Sequence, residues 1–211
     1  MSESYSIPQA RNLTFYRQVA RLHMDGINQG FLPQLGLGFM LLLYEALDHC
    51  EQSVLIGEHQ GDKVIGFVSG AASMKPVYRQ LMRRPFHLMI ALAPSLVRPA
   101  RLKRIYEIVR YSRASNRETQ PDLPAFELLS IAVDPSIRGT GCADNLYRQL
   151  EDYCRQQGVE RFKIVVGDAL TPAHRFYQRM GAVAVGRIEV HEGEGSVVYV
   201  QELGSHSFKE G

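Results

Sequence analysis

Two periodicities of apolar positions follow one another along this chain of 211 residues, and their order predicts alternating helices and strands. Between Gln9 and Ile27, Leu13, Tyr16, Ala20 and Ile27 recur close to helical spacing, and Pro8 suits a first turn. An opening helix is expected there. After the glycine-rich link NQGFLPQLGLG, the run FMLLLYEALDHC is apolar and then polar, as a short buried helix would be. The period then changes. SVLIGEH and KVIGFVSGAA are β-branched runs separated by QGD, which predicts a hairpin. Lys75 to about Arg117 reads as one or two helices broken by Pro85, Pro94 and Pro99. FELLSIAV is almost continuously apolar, the mark of a strand at the centre of a sheet.

The second half continues the alternation. Leu146, Leu150, Tyr153 and Cys154 fall on one helical stripe, and Gly158 stands where a C-terminal cap is wanted. RFKIVV sets Phe162, Ile164 and Val166 against Arg161 and Lys163, so it reads as a strand. Thr171 and Pro172 supply an N-cap and a proline at the first helical position of AHRFYQRM, which ends at Gly181. AVAVGRIEV and SVVYVQEL around HEGEG predict a closing hairpin, and residues 204–211 read as a disordered tail.

Composition narrows the class. A chain of 23.8 kDa with 45% hydrophobic residues can bury one core and is short for two, so residues 1–211 are expected to form a single domain with a helical insertion at about 75–120. Cys50, Cys142 and Cys154 include no close pair, which predicts neither a disulfide framework nor a metal site and suits a reducing cytoplasm. The N-terminal residues carry no export pattern, and Phe31–Leu47 is interrupted by Pro33, Gln34, Gly36, Gly38 and Glu45, so no transmembrane segment is expected. The net charge of +2 conceals an asymmetry. Residues 75–117 hold 11 Lys and Arg against Glu107 alone, which leaves the remainder of the chain acidic.

The stretch SIAVDPSIRGTGCADNLYRQL, residues 130–150, carries the candidate chemistry. A strand that enters a glycine loop and opens a helix directs backbone N–H groups and the positive end of a helix dipole at one place, which is an anion site. No G-x-x-x-x-G-K-[ST] run exists, and G-x-G-x-x-G fails because Asp144 occupies the third glycine position. What remains is R-x-x-G-x-A, filled by Arg138, Gly141 and Ala143. Taken alone, the loop reads better as an ordinary left-handed turn whose glycines serve only geometry. A second pattern follows, A-x-x-F-Y-x-x-x-G, at Ala173, Phe176, Tyr177 and Gly181. With Val133-Asp134-Pro135 ahead of the loop and the same element order, the sequence from roughly residue 10 to 203 resembles the Gcn5-related N-acetyltransferase (GNAT) superfamily.

The resemblance implies an α/β fold, with a mixed, mostly antiparallel central sheet whose two parallel strands splay apart, flanked by helices. It implies acetyl-CoA as co-substrate, lying along the strand edge at Ile131, Ala132 and Val133, with its pyrophosphate on the backbone of Arg138, Gly139, Thr140, Gly141, Cys142 and Ala143. The Arg138 side chain would add a charge-assisted contact. Phe176 and Tyr177 complete the cofactor side, with Tyr177 at the family position that protonates the departing sulfur and Phe176 packed inward. By period two, Glu127 shares a face with Leu129, Ile131 and Val133, where a carboxylate either deprotonates the amine through water or partners an arginine. His23 and His174 are the imidazoles placed to face a cleft. One position departs from the family: Leu170 stands where members often carry Asn, with Asp168 nearby but out of register.

The expected reaction moves an acetyl group to a primary amine of a small molecule, and the basic insertion suits an anionic acceptor such as a nucleotide-linked amino sugar. A protein or peptide amine is the alternative acceptor, and an acyl-CoA-binding module without catalysis is another. The basic segment, with Tyr78, Phe86, Tyr106 and Tyr111 interleaved, also leaves open a peripheral contact with a membrane surface. A nucleic-acid-binding module stays among the alternatives on the same residues, but nucleic acid is not the expected partner, because no reading motif accompanies the charge. A homodimer is left open.

Overall fold

The computed structural model describes residues 12–27, 32–96, 123–191 and 194–204. Helix α1 (Leu13–Gly26) opens on Asn12, whose side-chain oxygen accepts the Phe15 N–H at 3.1 Å. Its inner stripe is Phe15, Tyr16, Val19, Ala20 and His23. Leu13, expected on that stripe, is exposed because it lies at the first turn, to one side of the buried face. Gln9 and Pro8 lie outside the described residues. A short 3-10 turn at Leu32–Leu35 leads into α2 (Leu37–Asp48), which buries Phe39, Met40, Leu43, Tyr44, Ala46 and Leu47.

Strands β1 (Ser53–Gln60) and β2 (Lys63–Ala71) form the expected hairpin, but they pair up to Gln60 and Lys63. Only Gly61 and Asp62 therefore make the turn, with Gly61 at φ 60°. Two helices follow, α3 (Met74–Met82) and α4 (Pro85–Leu96). Pro85 opens α4 at its first position, whereas Pro94, expected as a break, is accommodated in the last turns of that helix. Pro99 and the rest of the basic segment beyond Leu96 lie outside the described residues, as does the tail beyond Gly204.

The second half supplies β3 (Glu127–Val133), α5 (Cys142–Gln156), β4 (Arg161–Gly167), α6 (Thr171–Arg179), β5 (Val183–His191) and β6 (Glu194–Glu202). Gly158 takes φ 70° just past α5, and Val159 N–H returns to the Cys154 carbonyl, as the C-cap glycine predicts. Helix α6 begins one residue earlier than its threonine-proline signal suggested. Leu170 is the N-cap and provides no side-chain hydrogen bond, because Thr171 and Pro172 already sit inside the first turn.

The six strands form one sheet in the order β1-β2-β3-β4-β6-β5. Every pairing is antiparallel except β3 with β4. One face carries α1, α2 and α3 over Leu55, Val64, Phe67 and Ala132. The other carries Leu146, Tyr147, Leu150 and Cys154 of α5, and Tyr177 of α6, over Val68, Leu128, Phe162, Ile164 and Val166.

A bulge in β3 changes one expectation. Ser69 pairs with Ser130 while Gly70 pairs with Leu128, so Leu129 is an extra residue that has no partner on β2. The phase of the strand flips there. Leu128, Ile131 and Val133 pack on the α5 side, and Leu129 and Ala132 on the α1–α2 side. Glu127 therefore does not share a face with Ile131 and Val133, as strict alternation required.

Candidate functional site

The parallel strands β3 and β4 pair at only two positions, Glu127 with Lys163 and Leu128 with Ile164. Beyond them the strands part. β4 stays bound to β6 from Arg161–Glu202 to Gly167–Ser196, and β3 stays bound to β2 up to Val133–Gly66. A bulged strand twists and bends more than a regular one, so the Leu129 bulge lies where the separation begins. The edge of β3 that carries Ile131, Ala132 and Val133 is thus without a strand partner on the β4 side.

The loop that follows is held by side chains and left bare at its end. Asp134 accepts from Ser136 N–H at 2.9 Å, Ser136 Oγ at 2.7 Å and Lys63 Nζ at 2.6 Å, which keeps its carboxyl well below the usual carboxylate range. Thr140 Oγ1 donates to the Ile137 carbonyl at 2.8 Å. Gly139 and Gly141 take φ 80° and 87°, and a Cβ at either would meet nothing within 4 Å. The backbone torsion, and not space, requires glycine there. Gly141 is the N-cap of α5 and offers no side chain to its first turn. Consequently the N–H groups of Gly139, Gly141, Cys142 and Ala143 have no protein acceptor among the described residues. Arg138 is exposed beside them and forms no ion pair with any described residue.

Across the loop stands α6, tied to α5 by an ion pair that links residues 35 apart. Arg179 donates to both carboxylate oxygens of Asp144, at 2.5 and 2.8 Å, and lies over the Phe176 ring at 5.5 Å. The guanidinium holds the Asp144 carboxyl below its ordinary range and neutralises a charge that would oppose an anion at this helix end.

Phe176 and Tyr177 exchange the depths expected of them. Tyr177 is 6% exposed, with its ring between those of Tyr147 and Tyr199, while Phe176 is half-buried on the flank towards α5. Both residues share the stripe of Ala173 and Met180, and the sheet side of that stripe is the Tyr177 side. The Tyr177 hydroxyl has no hydrogen bond to any described residue, and no fully buried side-chain polar atom among them lacks a partner. Its oxygen therefore reaches accessible space at the end of a buried ring. Burial pushes that phenol above its ordinary pKa, so it keeps its proton at neutral pH.

Glu127 lies at the closed foot of the opening, where β3 and β4 still pair. Burial pushes its carboxyl up, against Lys163, whose Nζ is 3.7 Å away. The neighbouring phenol of Tyr78 is itself raised by burial and by this carboxylate. The two histidines lie in different places. His23 is 5% exposed in the α1–α2 core, its Nδ1 2.5 Å from the Tyr44 hydroxyl, and burial lowers its pKa to about 4. His174 Nε2 donates to the Gly167 carbonyl at 3.1 Å, which leaves Nδ1 to accept from the Tyr199 hydroxyl at 2.9 Å. His23 is thus a core residue, whereas His174 sits beside Tyr199, whose ring adjoins that of Tyr177. Leu170 N–H closes a turn onto the Gly167 carbonyl, and Asp168 is bound to Arg187.

The sequence reading missed Asp144–Arg179 and Tyr147, since a pair 35 residues apart leaves no local signal. Tyr147 could have been found, as it adjoins Leu146 and Leu150 on the buried stripe of α5. Among the described residues no group of three His, Cys, Asp or Glu could hold a metal ion, and no helix is long and apolar enough to cross a membrane.

The family model described as "Acetyltransferase (GNAT) family" matches residues 27–182. The chain belongs to the GNAT family. It is an acyltransferase, and its mixed sheet with one parallel pair is the fold of that family. A GNAT-family acetyltransferase from Desulfovibrio desulfuricans superposes with a TM-score of 0.57 at 15% identity, over 93% of this chain and 95% of that one. An aminoglycoside 6'-N-acetyltransferase complexed with coenzyme A gives 0.58 at 10% identity, over 94% and 96%. The ribosomal-protein-S18-alanine N-acetyltransferase from Escherichia coli gives 0.54 at 12% identity, over 95% and 96%. At these identities the likeness is one of fold. No curated protein matches the sequence.

Proposed function

We propose that the protein transfers an acetyl group from acetyl-CoA to a primary amine of a small molecule in the cytoplasm. The observation that carries the reading is the parting of β3 and β4 after two paired positions, next to four N–H groups, in the loop and at the start of α5, without acceptors among the described residues. These groups fit the co-substrate: the free edge of Ile131–Val133 suits an extended amide-bearing arm, and the bare loop from Arg138 to Ala143 suits a pyrophosphate. Arg138 adds a cation at the loop, and Arg179 neutralises Asp144, while Glu58, which accepts from Asn145 and Gln149, is the other carboxylate near Cys142.

Acetyl-CoA supplies an electrophilic thioester carbonyl and a thiolate leaving group whose conjugate acid has a pKa of about 8.5. Tyr177, held protonated by burial and open at its hydroxyl, donates a proton towards the departing sulfur. Glu127, whose carboxyl burial pushes above its ordinary range beside Lys163, accepts the proton lost by the attacking amine, directly or through water. The unpaired thiols of Cys50, Cys142 and Cys154 agree with a reducing compartment. The aminoglycoside and ribosomal-protein enzymes cover two acceptor classes, and the choice of a small amine over a protein amine is decided by assay.

Calorimetric titration of wild type and Gly141→Glu with acetyl-CoA tests the reading. Micromolar binding that disappears in the variant is the expected result, followed by turnover on a panel of aminoglycosides, nucleotide-linked amino sugars and peptides. Absence of heat and of thermal shift in the wild type overturns it.

A further inference from the structure

Helix α4 is apolar on two faces and buries one. Leu88 and Leu92 pack on the α1–α2 core, and Ala91 lies so close to Gly38 of α2 that a Cβ on that glycine would be 3.3 Å from it. On the opposite side Phe86, Met89 and Ile90 are 74%, 62% and 74% exposed, at the i, i+3, i+4 spacing of one stripe. Met82, 65% exposed, adds to them from the end of α3. The outer stripe of α3 is Lys75, Arg79, Met82 and Arg83, opposite the buried Val77 and Leu81. Only Arg83 and Arg84 separate the two helices, and both pack on α2, so their outer stripes turn away from it together.

Four large apolar side chains gathered on adjoining turns exceed the scattered exposure usual on a soluble surface. The charge around them selects the occupant. Met74–Leu96 contains no acidic residue, and Lys75 and Arg79 have no carboxylate partner among the described residues. Arg84 alone is neutralised, by Glu45 at 2.8 Å. In the sequence, residues 97–117 hold seven further Lys and Arg against Glu107. A second copy docked face to face would bring like charges together, whereas an anionic lipid surface meets both the cations and the apolar side chains.

We propose that the outer face of α3 and α4 docks the protein on anionic phospholipid membranes, with Phe86, Met89 and Ile90 entering the headgroup boundary and Lys75, Arg79 and Arg83 facing the lipid phosphates. The arrangement lies in the membrane plane and spans nothing, in keeping with a 12-residue helix. It is independent of the acetyl-transfer reading.

Sedimentation of the full chain with vesicles of phosphatidylcholine alone, and with 30% phosphatidylglycerol, tests the proposal at low and high salt. Binding to the anionic vesicles is expected, weakened by salt and roughly fivefold by removal of each cation, as in Arg79→Ala. Phe86→Glu/Ile90→Glu is expected to reduce it by more than about tenfold while acetyl-CoA affinity is unchanged, since both side chains are already in water. Three results overturn the proposal: no binding to anionic vesicles at low salt, equal binding to both vesicle types, or undiminished binding by the double variant. A dimer in sedimentation velocity that the double variant dissociates assigns the face to a second copy and likewise overturns it.

Discussion

The loop from Arg138 to Ala143 and the outer face of α3 and α4 are both exposed and both suited to negative charge, yet they are built from opposite materials. In the loop the donors are backbone N–H groups, released by two glycines in the left-handed region and by a helix start without a side-chain cap. On α3 and α4 the backbone is satisfied within the helices, and everything offered to a partner is side chain at helical spacing. The difference teaches how each site fails. A backbone site stands or falls with one torsion angle, while a side-chain face weakens in increments.

The contrast is broken most directly at Gly141. Gly141→Glu is expected to lower acetyl-CoA affinity by more than about 100-fold, because strain at φ 87° and a carboxylate act together at the helix start. Gly141→Ala separates the two, losing about 1–2 kcal/mol of stability but retaining part of the affinity, as denaturation and titration will report. Unaltered affinity in Gly141→Glu would remove the backbone site from the comparison. On the other face, Met89→Ser alone is expected to weaken vesicle binding only about threefold.

Next in size is Tyr177→Phe. Its kcat is expected to fall about 100-fold, while acetyl-CoA affinity stays within twofold and the melting temperature barely moves, since only a hydroxyl at accessible space is lost. A large loss of affinity with kcat retained would make Tyr177 a binding residue instead, and a large fall in melting temperature a packing one. Arg179→Ala leaves the Asp144 carboxylate unneutralised at α5 and should weaken acetyl-CoA binding several-fold, more at low salt. Asp144→Ala/Arg179→Ala should restore most of that loss if the effect is charge.

Acid stability sharpens the distinction between core and site. The unfolded chain protonates His23 below pH 6.5, and the folded chain resists until about pH 4. Stability from this group is therefore complete above pH 6.5 and is lost as pH falls through that window, by about 3 kcal/mol in all. Urea midpoints at pH 7.5, 5.5 and 4.5 should show the slope, and His23→Gln should flatten it. Arg84→Ala is the smallest effect expected, under about 1 kcal/mol by thermal denaturation, because its bridge to Glu45 is largely solvated.

Local chemistry settled much of this protein in advance. The Gly141 turn, the cap glycine Gly158, the alternation of Phe162, Ile164 and Val166, and the stripe of Leu146, Leu150 and Cys154 all follow from torsions and periods that a few neighbouring residues impose. Family membership was legible for the same reason, since its motif is a local backbone requirement. Pairings between distant elements decided the rest. The Leu129 bulge inverted the face of Glu127, His23 went into the core and His174 onto Gly167 and Tyr199, and Arg179 found Asp144. Whether an amphipathic helix is covered on one face or two depends on what packs beside it, so only the fold could show that α4 buries Leu88 and Leu92 and leaves Phe86 and Ile90 to the solvent.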